Sequence, residues 1–361
     1  MKIGTFFSGV GSPEQALRDL DIKHEIEFAC DIDKYAKETY LKNFNPKQYY
    51  KDITTLDMTK LSYVDLLVFG FPCQSFSIAG KRKGFEDTRG TLFYDALRYL
   101  KEHKPRYFIA ENVKGLLSHD NGKTFGTIID CLAKTTNYQM SLMPFDNLGY
   151  HIHYKVLNTK DFGIPQNRER IFIIGIRDDK DNNFNFPKEI PLELKLKDIL
   201  QDNPEYIIHN LYGGFKEGVR IFKDYCPTIR TPKGGGHIPS VAIKVDEKYY
   251  LKEETVKKLE DYNKRNKEKG NGFQAKFHNP ETENMSALKI GGAGADDLVF
   301  IEDYRTDKEL RIRRLTPIEC ERLQGFPDNF TEGVSDTQRY KQMGNTITVK
   351  VIQSIIKNLL K

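Results

Sequence analysis

The sequence predicts an α/β fold: a doubly wound, largely parallel sheet, followed by a smaller, irregular and mostly β region. Three observations predict it. Short apolar runs alternate with amphipathic helical stretches through the first half. One run, Tyr63–Phe69, is apolar almost throughout, as in a strand buried on both faces. From about Asn182 the alternation stops, and prolines and paired glycines punctuate the chain.

Taken in order, Lys2–Phe7 is a strand closed by Ser8-Gly9-Val10-Gly11-Ser12, and a helix follows from about Pro13 to Leu20. Glu25–Cys30 and Asp33–Asn43 repeat the pattern of strand and helix. After the Tyr63–Phe69 strand, apolar residues at Leu92, Phe93, Ala96, Leu97 and Leu100 have helical spacing. Arg106–Ala110 is the next strand. His151–Leu157 and Arg170–Ile176 are two more, separated by a polar stretch containing proline. Near the C-terminus, Thr316-Pro317-Ile318-Glu319 carries a capping residue, an early proline and a glutamate three residues on, which together start a helix. A last helix runs from about Thr346, with an apolar stripe from Ile347 to Leu359. The expected division is 1–185 with 304–361 as one domain and 186–303 as the other.

Composition narrows the class. The chain has 361 residues, 39% hydrophobic and 30% charged, which suits a folded globular chain. No run reaches the length that spans a bilayer, and the N-terminus lacks the apolar core of a signal peptide, so a cytoplasmic protein is expected. Five cysteines, none in a Cys-x-x-Cys pair, argue against a disulfide framework and a structural zinc site, and the histidines have no metal-ligand spacing. Formal net charge is +5, which permits an acidic partner without requiring one. The charged stretch 252–269, with seven basic and five acidic residues, reads as a solvated helix face.

Several segments can carry chemistry. The glycine turn after the first strand allows a ligand to approach the backbone, and the helix N-terminus behind it favours an anionic group. Asp31, at the end of the second strand, can accept hydrogen bonds from ribose hydroxyls. Glu14 stands where a dinucleotide fingerprint has its third glycine, so a nucleoside cofactor without pyrophosphate fits better. Asp52 can meet an adenine amino group or simply cap a turn. Gly70-Phe71-Pro72-Cys73-Gln74-Ser75-Phe76-Ser77 leaves the buried strand at the sheet edge where such folds bind ligands. Cys73 is a nucleophile there if nearby positive charge lowers its pKa. The loop through Lys81, Arg82, Lys83 and Arg89 is hinged by Gly80, Gly84 and Gly90 and suits a lid over a polyanion. Glu111 ends the next strand at the same edge and can bond a substrate nitrogen. Arg168 and Arg170, two residues apart in an extended segment, can bind a base carbonyl or form an ordinary ion pair.

Together these segments resemble the DNA (cytosine-5)-methyltransferases of bacterial restriction-modification systems. The pieces are Phe7-Ser8-Gly9-Val10-Gly11, Gly70-Phe71-Pro72-Cys73-Gln74, Glu111-Asn112-Val113, Gln166-Asn167-Arg168-Glu169-Arg170, Arg314-Leu315-Thr316-Pro317 with Gln324-Gly325-Phe326-Pro327, and Gln342-Met343-Gly344-Asn345-Thr346, in the family's order. The resemblance covers about the first 185 residues and the last 50, and fades where the family keeps its target-recognition domain. Ser12, Thr5 and Ile32 depart from a frequent glycine, aspartate and aromatic.

The resemblance implies a Rossmann-like methyltransferase sheet with an antiparallel last strand, and S-adenosylmethionine as cofactor with no metal. Phe7, Gly9 and Gly11 would meet its adenosyl-methionine, Asp31 the ribose, and Ile32 the adenine face. Asp52 and Ile53 would flank the adenine edge, Pro72 and Leu92 would line the pocket, and Asn345 would help close it. The Cys73 thiolate would attack C6 of a flipped-out cytosine, making C5 nucleophilic enough to take the methyl group. Glu111 would bond the N3 edge, Arg168 would hold O2, and Arg170 would brace the site. Double-stranded DNA would be the substrate, met by Gln74, Ser77, Lys81, Arg82, Lys83 and Arg89 and read by Thr228, Arg230, Thr231 and Lys233 in a glycine-rich loop. The segment 212–244 around that loop has six basic and two acidic residues. The resemblance also implies a monomer and a separate cognate restriction endonuclease. An RNA (tRNA) methyltransferase of the same superfamily and a non-catalytic DNA-binding relative are the alternatives.

Overall fold

The computed structural model describes residues 1–72, 92–136, 139–140, 147–177, 179, 183–201, 208–210, 220–222, 226–228, 240–242 and 312–361. Two compact units are present: Met1–Asn158 with Glu169–Glu189 and Ile347–Lys361, and Thr159–Arg168 with Ile190–Thr346.

The first unit is built on a nine-stranded sheet. Its strands are β1 (Lys2–Phe6), β2 (Glu25–Cys30), β3 (Gln48–Tyr50), β4 (Leu66–Gly70), β5 (Tyr107–Val113), β6 (Ala133–Thr136), β7 (Gln139–Met140), β8 (Tyr150–Asn158) and, after a two-residue strand β9 (Gln166–Asn167) of the second unit, β10 (Glu169–Arg177). The spatial order is β3-β2-β1-β4-β5-β10-β8-β6-β7. Strands β1 to β5 run parallel, while β10 is antiparallel to both β5 and β8. The predicted antiparallel last strand is therefore present, extended by two small edge strands that the sequence pattern did not reveal.

Alternation along each central strand gives the sheet two buried faces. Leu66, Leu67, Val68 and Phe69 are all buried, which explains the unbroken apolar run. On one face Phe6, Phe28, Leu67, Phe69, Phe108 and Ile173 pack with Phe93, Ala96, Leu97 and Leu100 of helix α3 (Leu92–His103) and Phe125, Ile128 and Leu132 of α4 (Lys123–Leu132). Helix α1 (Ser12–Asp19) packs on the C-terminal helix, where Gln353 Nε2 donates to Asp19 Oδ2 at 2.6 Å. Helix α2 (Lys34–Asn43) starts on Asp33, whose carboxylate accepts the amides of Tyr35 and Ala36.

In the second unit, α5 (Leu196–Ile199) precedes the strands β11 (Ile208–Asn210), β12 (Arg220–Phe222), β14 (Ser240–Ala242) and β15 (Ile312–Arg314), which form an antiparallel sheet in the order β12-β11-β14-β15. Strand β13 (Cys226–Pro227) pairs in parallel with β9. Helix α6 (Pro317–Leu323) carries the predicted capping box: Thr316 Oγ1 accepts the Glu319 amide and Glu319 Oε2 accepts the Thr316 amide. Helices α7 (Asp336–Asn345) and α8 (Val349–Leu359) complete the chain, α8 belonging to the first unit. The division differs from the expected boundaries, since 159–168 and 304–346 group with the second unit. Buried amide bonds account for this: Gln166 Nε2 donates to Leu323 O at 2.6 Å and Gln324 Nε2 to Met343 O at 2.8 Å. Among the described residues no helix is long and apolar enough to cross a membrane.

Gly175 on β10 faces Phe108 on β5, and a Cβ at 175 would overlap the Phe108 ring. Gly175→Ala is expected to lower stability by about 1–3 kcal/mol through overpacking. Urea unfolding checks this, and adding Phe108→Leu should recover part of the loss.

Candidate active site

Parallel strands deliver their carboxyl ends to one edge. Gly70 ends β4 beside Glu111 on β5, and Arg170, the second residue of β10, lies opposite Val113. There Arg170 Nε lies 3.0 Å from Glu111 Oε1, with the two side chains only 17% and 12% exposed. A Cβ on Gly70 would lie 3.3 Å from Glu111 Oε2, so glycine at that place leaves the carboxylate its room. Next along the same strands, Lys114 Nζ meets Glu169 Oε1 at 2.9 Å.

Asn112, between Glu111 and Val113, has a role that the sequence does not disclose. Its side chain is buried, Nδ2 donates to Phe71 O at 2.8 Å, and Oδ1 accepts the Val113 amide at 2.8 Å. That bond fixes the chain two residues before Cys73. The only signal in the sequence is a polar residue where strand alternation points into the core. Phe71 is buried and Pro72 is exposed. Cys73, Gln74, Ser77, Lys81, Arg82, Lys83 and Arg89 lie outside the described residues.

The described cysteines are held as thiols. Burial, then the charge of Asp31, pushes Cys30 up to about 12, and burial pushes Cys131 up to about 11. Cys226 is also raised by burial, and Cys320 is buried.

The cofactor turn takes an unusual backbone path. Phe7 (φ 54°), Gly9 (φ 53°) and Gly11 (φ 90°) all adopt left-handed geometry. At Phe7, which carries a side chain, this costs of order 1–3 kcal/mol. At Gly11 a Cβ would also overlap the Phe44 ring. The Gly9 amide donates to Asp31 Oδ2 at 2.8 Å and the Asp33 amide to Asp31 Oδ1 at 2.9 Å, so the carboxylate is aimed by backbone. A Cβ on Gly9 would meet nothing within 4 Å, and Ile32 is 67% exposed. An open cradle over a glycine, an oriented carboxylate and an exposed apolar side chain in succession fit S-adenosylmethionine.

The remaining expected residues are placed as follows. Asp52 caps a short turn, with Oδ1 accepting the Thr54 amide at 3.0 Å and hydroxyl at 2.8 Å, and these bonds lower its pKa. Ile53 is buried in the core, and Leu92 opens α3 half-buried against it. In the second unit Arg168 is buried, and its guanidinium donates to Gly344 O at 3.3 Å and Thr346 O at 2.7 Å. Arg168 thus holds the last carbonyls of α7, around the exposed Asn345. Thr228 Oγ1 donates to Asn167 O at 2.5 Å. Arg230, Thr231, Lys233 and the charged stretch 252–269 lie outside the described residues.

Comparison with known proteins gives one answer. The profile of the C-5 cytosine-specific DNA methylases matches residues 1–361. The type II methyltransferase M.HpaII of Haemophilus parainfluenzae is 34% identical, over 98% of this chain and 88% of its own. The orphan methyltransferase M.SPRI of Bacillus phage SPR is 32% identical, over 100% and 97%. A putative DNA modification methyltransferase from an Escherichia coli prophage shares the fold at a TM-score of 0.56 and 22% identity, covering 100% of this chain and 98% of its own. A mutant DNMT2 of Spodoptera frugiperda shares it at 0.60 and 20%, covering 100% and 99%. With a family profile spanning its whole length, this chain belongs to the C-5 cytosine-specific DNA methylases and is a DNA cytosine-5 methyltransferase.

Proposed function

We propose that this enzyme methylates cytosine at a specific short duplex site through a covalent bond from Cys73 to C6. The observation that carries the reading is the Glu111–Arg170 pair, fixed beside the strand end that leads into Cys73. The unactivated ring carbon C5 is a poor nucleophile. Addition of the Cys73 thiolate to C6 makes an enamine whose C5 is electron-rich. Glu111 accepts from the exocyclic amino group and shares a proton with N3, so the negative charge that addition places there is met by that proton. Bound S-adenosylmethionine supplies an electrophilic methyl group. Loss of the C5 proton then lets Cys73 depart as thiolate and restores aromaticity. Flipping the base out of the stack costs a few kcal/mol, offset by contacts in the pocket.

The two arginines exchange the roles that the resemblance implies. Arg170 keeps the ion pair at the sheet edge, so we assign it the cytosine O2. Arg168 spends its guanidinium on the Gly344 and Thr346 carbonyls, which makes it the brace. Asp31 and Gly9 hold the cofactor, with Phe7, Gly11, Ile32, Pro72, Leu92 and Asn345 in the contacts given by the resemblance. Asp52 and Ile53 flank the adenine edge. Thr228 anchors the reading loop to Asn167, and Arg230, Thr231 and Lys233 read or neutralise the duplex. We also propose action as a monomer, in the cytoplasm, on DNA that a separate restriction endonuclease would otherwise cut.

Cys73→Ser should abolish transfer of labelled methyl while leaving duplex binding in a mobility-shift assay. Wild-type turnover by that variant would refute the nucleophile. DNA carrying 5-fluorocytosine should trap the enzyme covalently in the presence of cofactor, because fluorine cannot leave as a proton does; this is read as a denaturation-stable band. Arg170→Lys should lower kcat about 10–100-fold by losing a charged hydrogen bond. Arg168→Lys should instead lower the melting temperature with a smaller effect on kcat. The reverse pattern would restore the roles that the resemblance implies.

A further inference from the structure

A buried polar chain lies beneath the cofactor turn, and it ends on Glu14. Glu14 sits in the first turn of α1 and is fully buried. Its Oε1 accepts the Tyr40 hydroxyl at 2.6 Å and the Thr5 hydroxyl at 2.9 Å. Thr5 Oγ1 lies 2.8 Å from Ser8 Oγ, and Ser8 Oγ accepts the Cys30 amide at 2.9 Å. Thr5 donates its single proton to Glu14, while the Ser8 proton has Thr5 Oγ1 and the carbonyls of Thr5 at 3.0 Å and Cys30 at 3.2 Å within reach. A continuous polar path therefore runs from the Cys30 amide through Ser8 and Thr5 to Glu14. Burial raises the pKa of the Glu14 carboxyl.

Ser8 and Cys30 tie this polar chain to the turn that presents the cofactor groups. The Ser8 amide donates to Cys30 O at 3.0 Å and the Gly11 amide to Ser8 O at 3.0 Å. Between them the Gly9 amide reaches Asp31 Oδ2. Tyr40 packs on Phe44, whose ring fills the space left by Gly11.

We propose that Glu14 is a positioning residue for S-adenosylmethionine, holding the Phe7–Gly11 turn through Thr5 and Ser8 so that Gly9 and Asp31 face the cofactor. This rests on the cofactor reading above. What the chain needs from position 14 is an acceptor oxygen, which glutamine also provides.

The test uses the full-length protein and calorimetric titration with S-adenosylhomocysteine, alongside kcat, KM for S-adenosylmethionine and thermal melting. Glu14→Ala and Thr5→Val should each raise Kd and KM at least about fivefold, with kcat at saturating cofactor within about twofold. Glu14→Gln should stay below that fivefold mark, and the double variant should be no weaker than the weaker single one. The proposal is overturned if either single variant binds within that limit, if kcat falls while KM holds, or if Glu14→Gln loses as much as Glu14→Ala. Thr5→Val keeps the shape of the side chain and decides the matter should Glu14→Ala not fold. A wild-type chain that binds no S-adenosylhomocysteine overturns the cofactor reading and this proposal together. Tight wild-type binding with equally tight variants overturns the proposal alone.

Discussion

Strand register is the constraint on which the active site depends. Gly70 and Glu111 are partners across β4 and β5, and Phe172 lies opposite Glu111 across β5 and β10. Because β10 runs antiparallel, its beginning reaches the edge where the parallel strands end. Arg170 therefore arrives beside Glu111 from a segment almost sixty residues away in the chain. A slip of one residue in β10 would turn Arg170 to the other face and exchange Ile171 and Ile173 with Phe172 and Ile174 between the two buried faces. The packing of those residues is thus what holds the ion pair in place. The same register demands glycine at 175, since Phe108 occupies the space of a side chain there.

Around this edge, polar groups are fixed by bonds rather than by packing alone. Asn112 ties β5 to the carbonyl of Phe71, and backbone amides aim both oxygens of Asp31. Each is a donor or acceptor that would be costly to bury without a partner. Such bonds leave few alternative arrangements. They offset the strain of the left-handed Phe7, which the turn accepts in order to bring the Gly9 amide to Asp31.

What could be read from the sequence follows from how local each signal is. The apolar run before Gly70, the glycine turn at 9–11 and the capping box at Thr316 are encoded within a few residues, and all three are in the structure. The antiparallel β8–β10 pair was also legible, since both strands are long and apolar. The two arginines were not. An Arg-x-Arg spacing puts both on one side of a strand only if the strand continues through them. Here β9 ends at Asn167 and β10 begins at Glu169, so Arg168 falls in the break. Its partners, Gly344 and Thr346, lie about 180 residues away and leave no local trace. The unit boundaries were missed for the same reason, because bonds from Gln166 and Gln324 join distant segments.

The placement of the thiols bears on why one cysteine suffices for the chemistry. A thiolate needs water or positive charge nearby, and burial removes the first without supplying the second. Cys30 shows the consequence: it ends β2 within the cofactor strand-end cluster, yet burial and the neighbouring Asp31 keep its proton on. The sheet edge a few strands away differs in kind. It carries a guanidinium in a largely buried ion pair, and Pro72 beside it is exposed. The core therefore excludes the cysteines it encloses, in keeping with the proposal that Cys73 is the nucleophile.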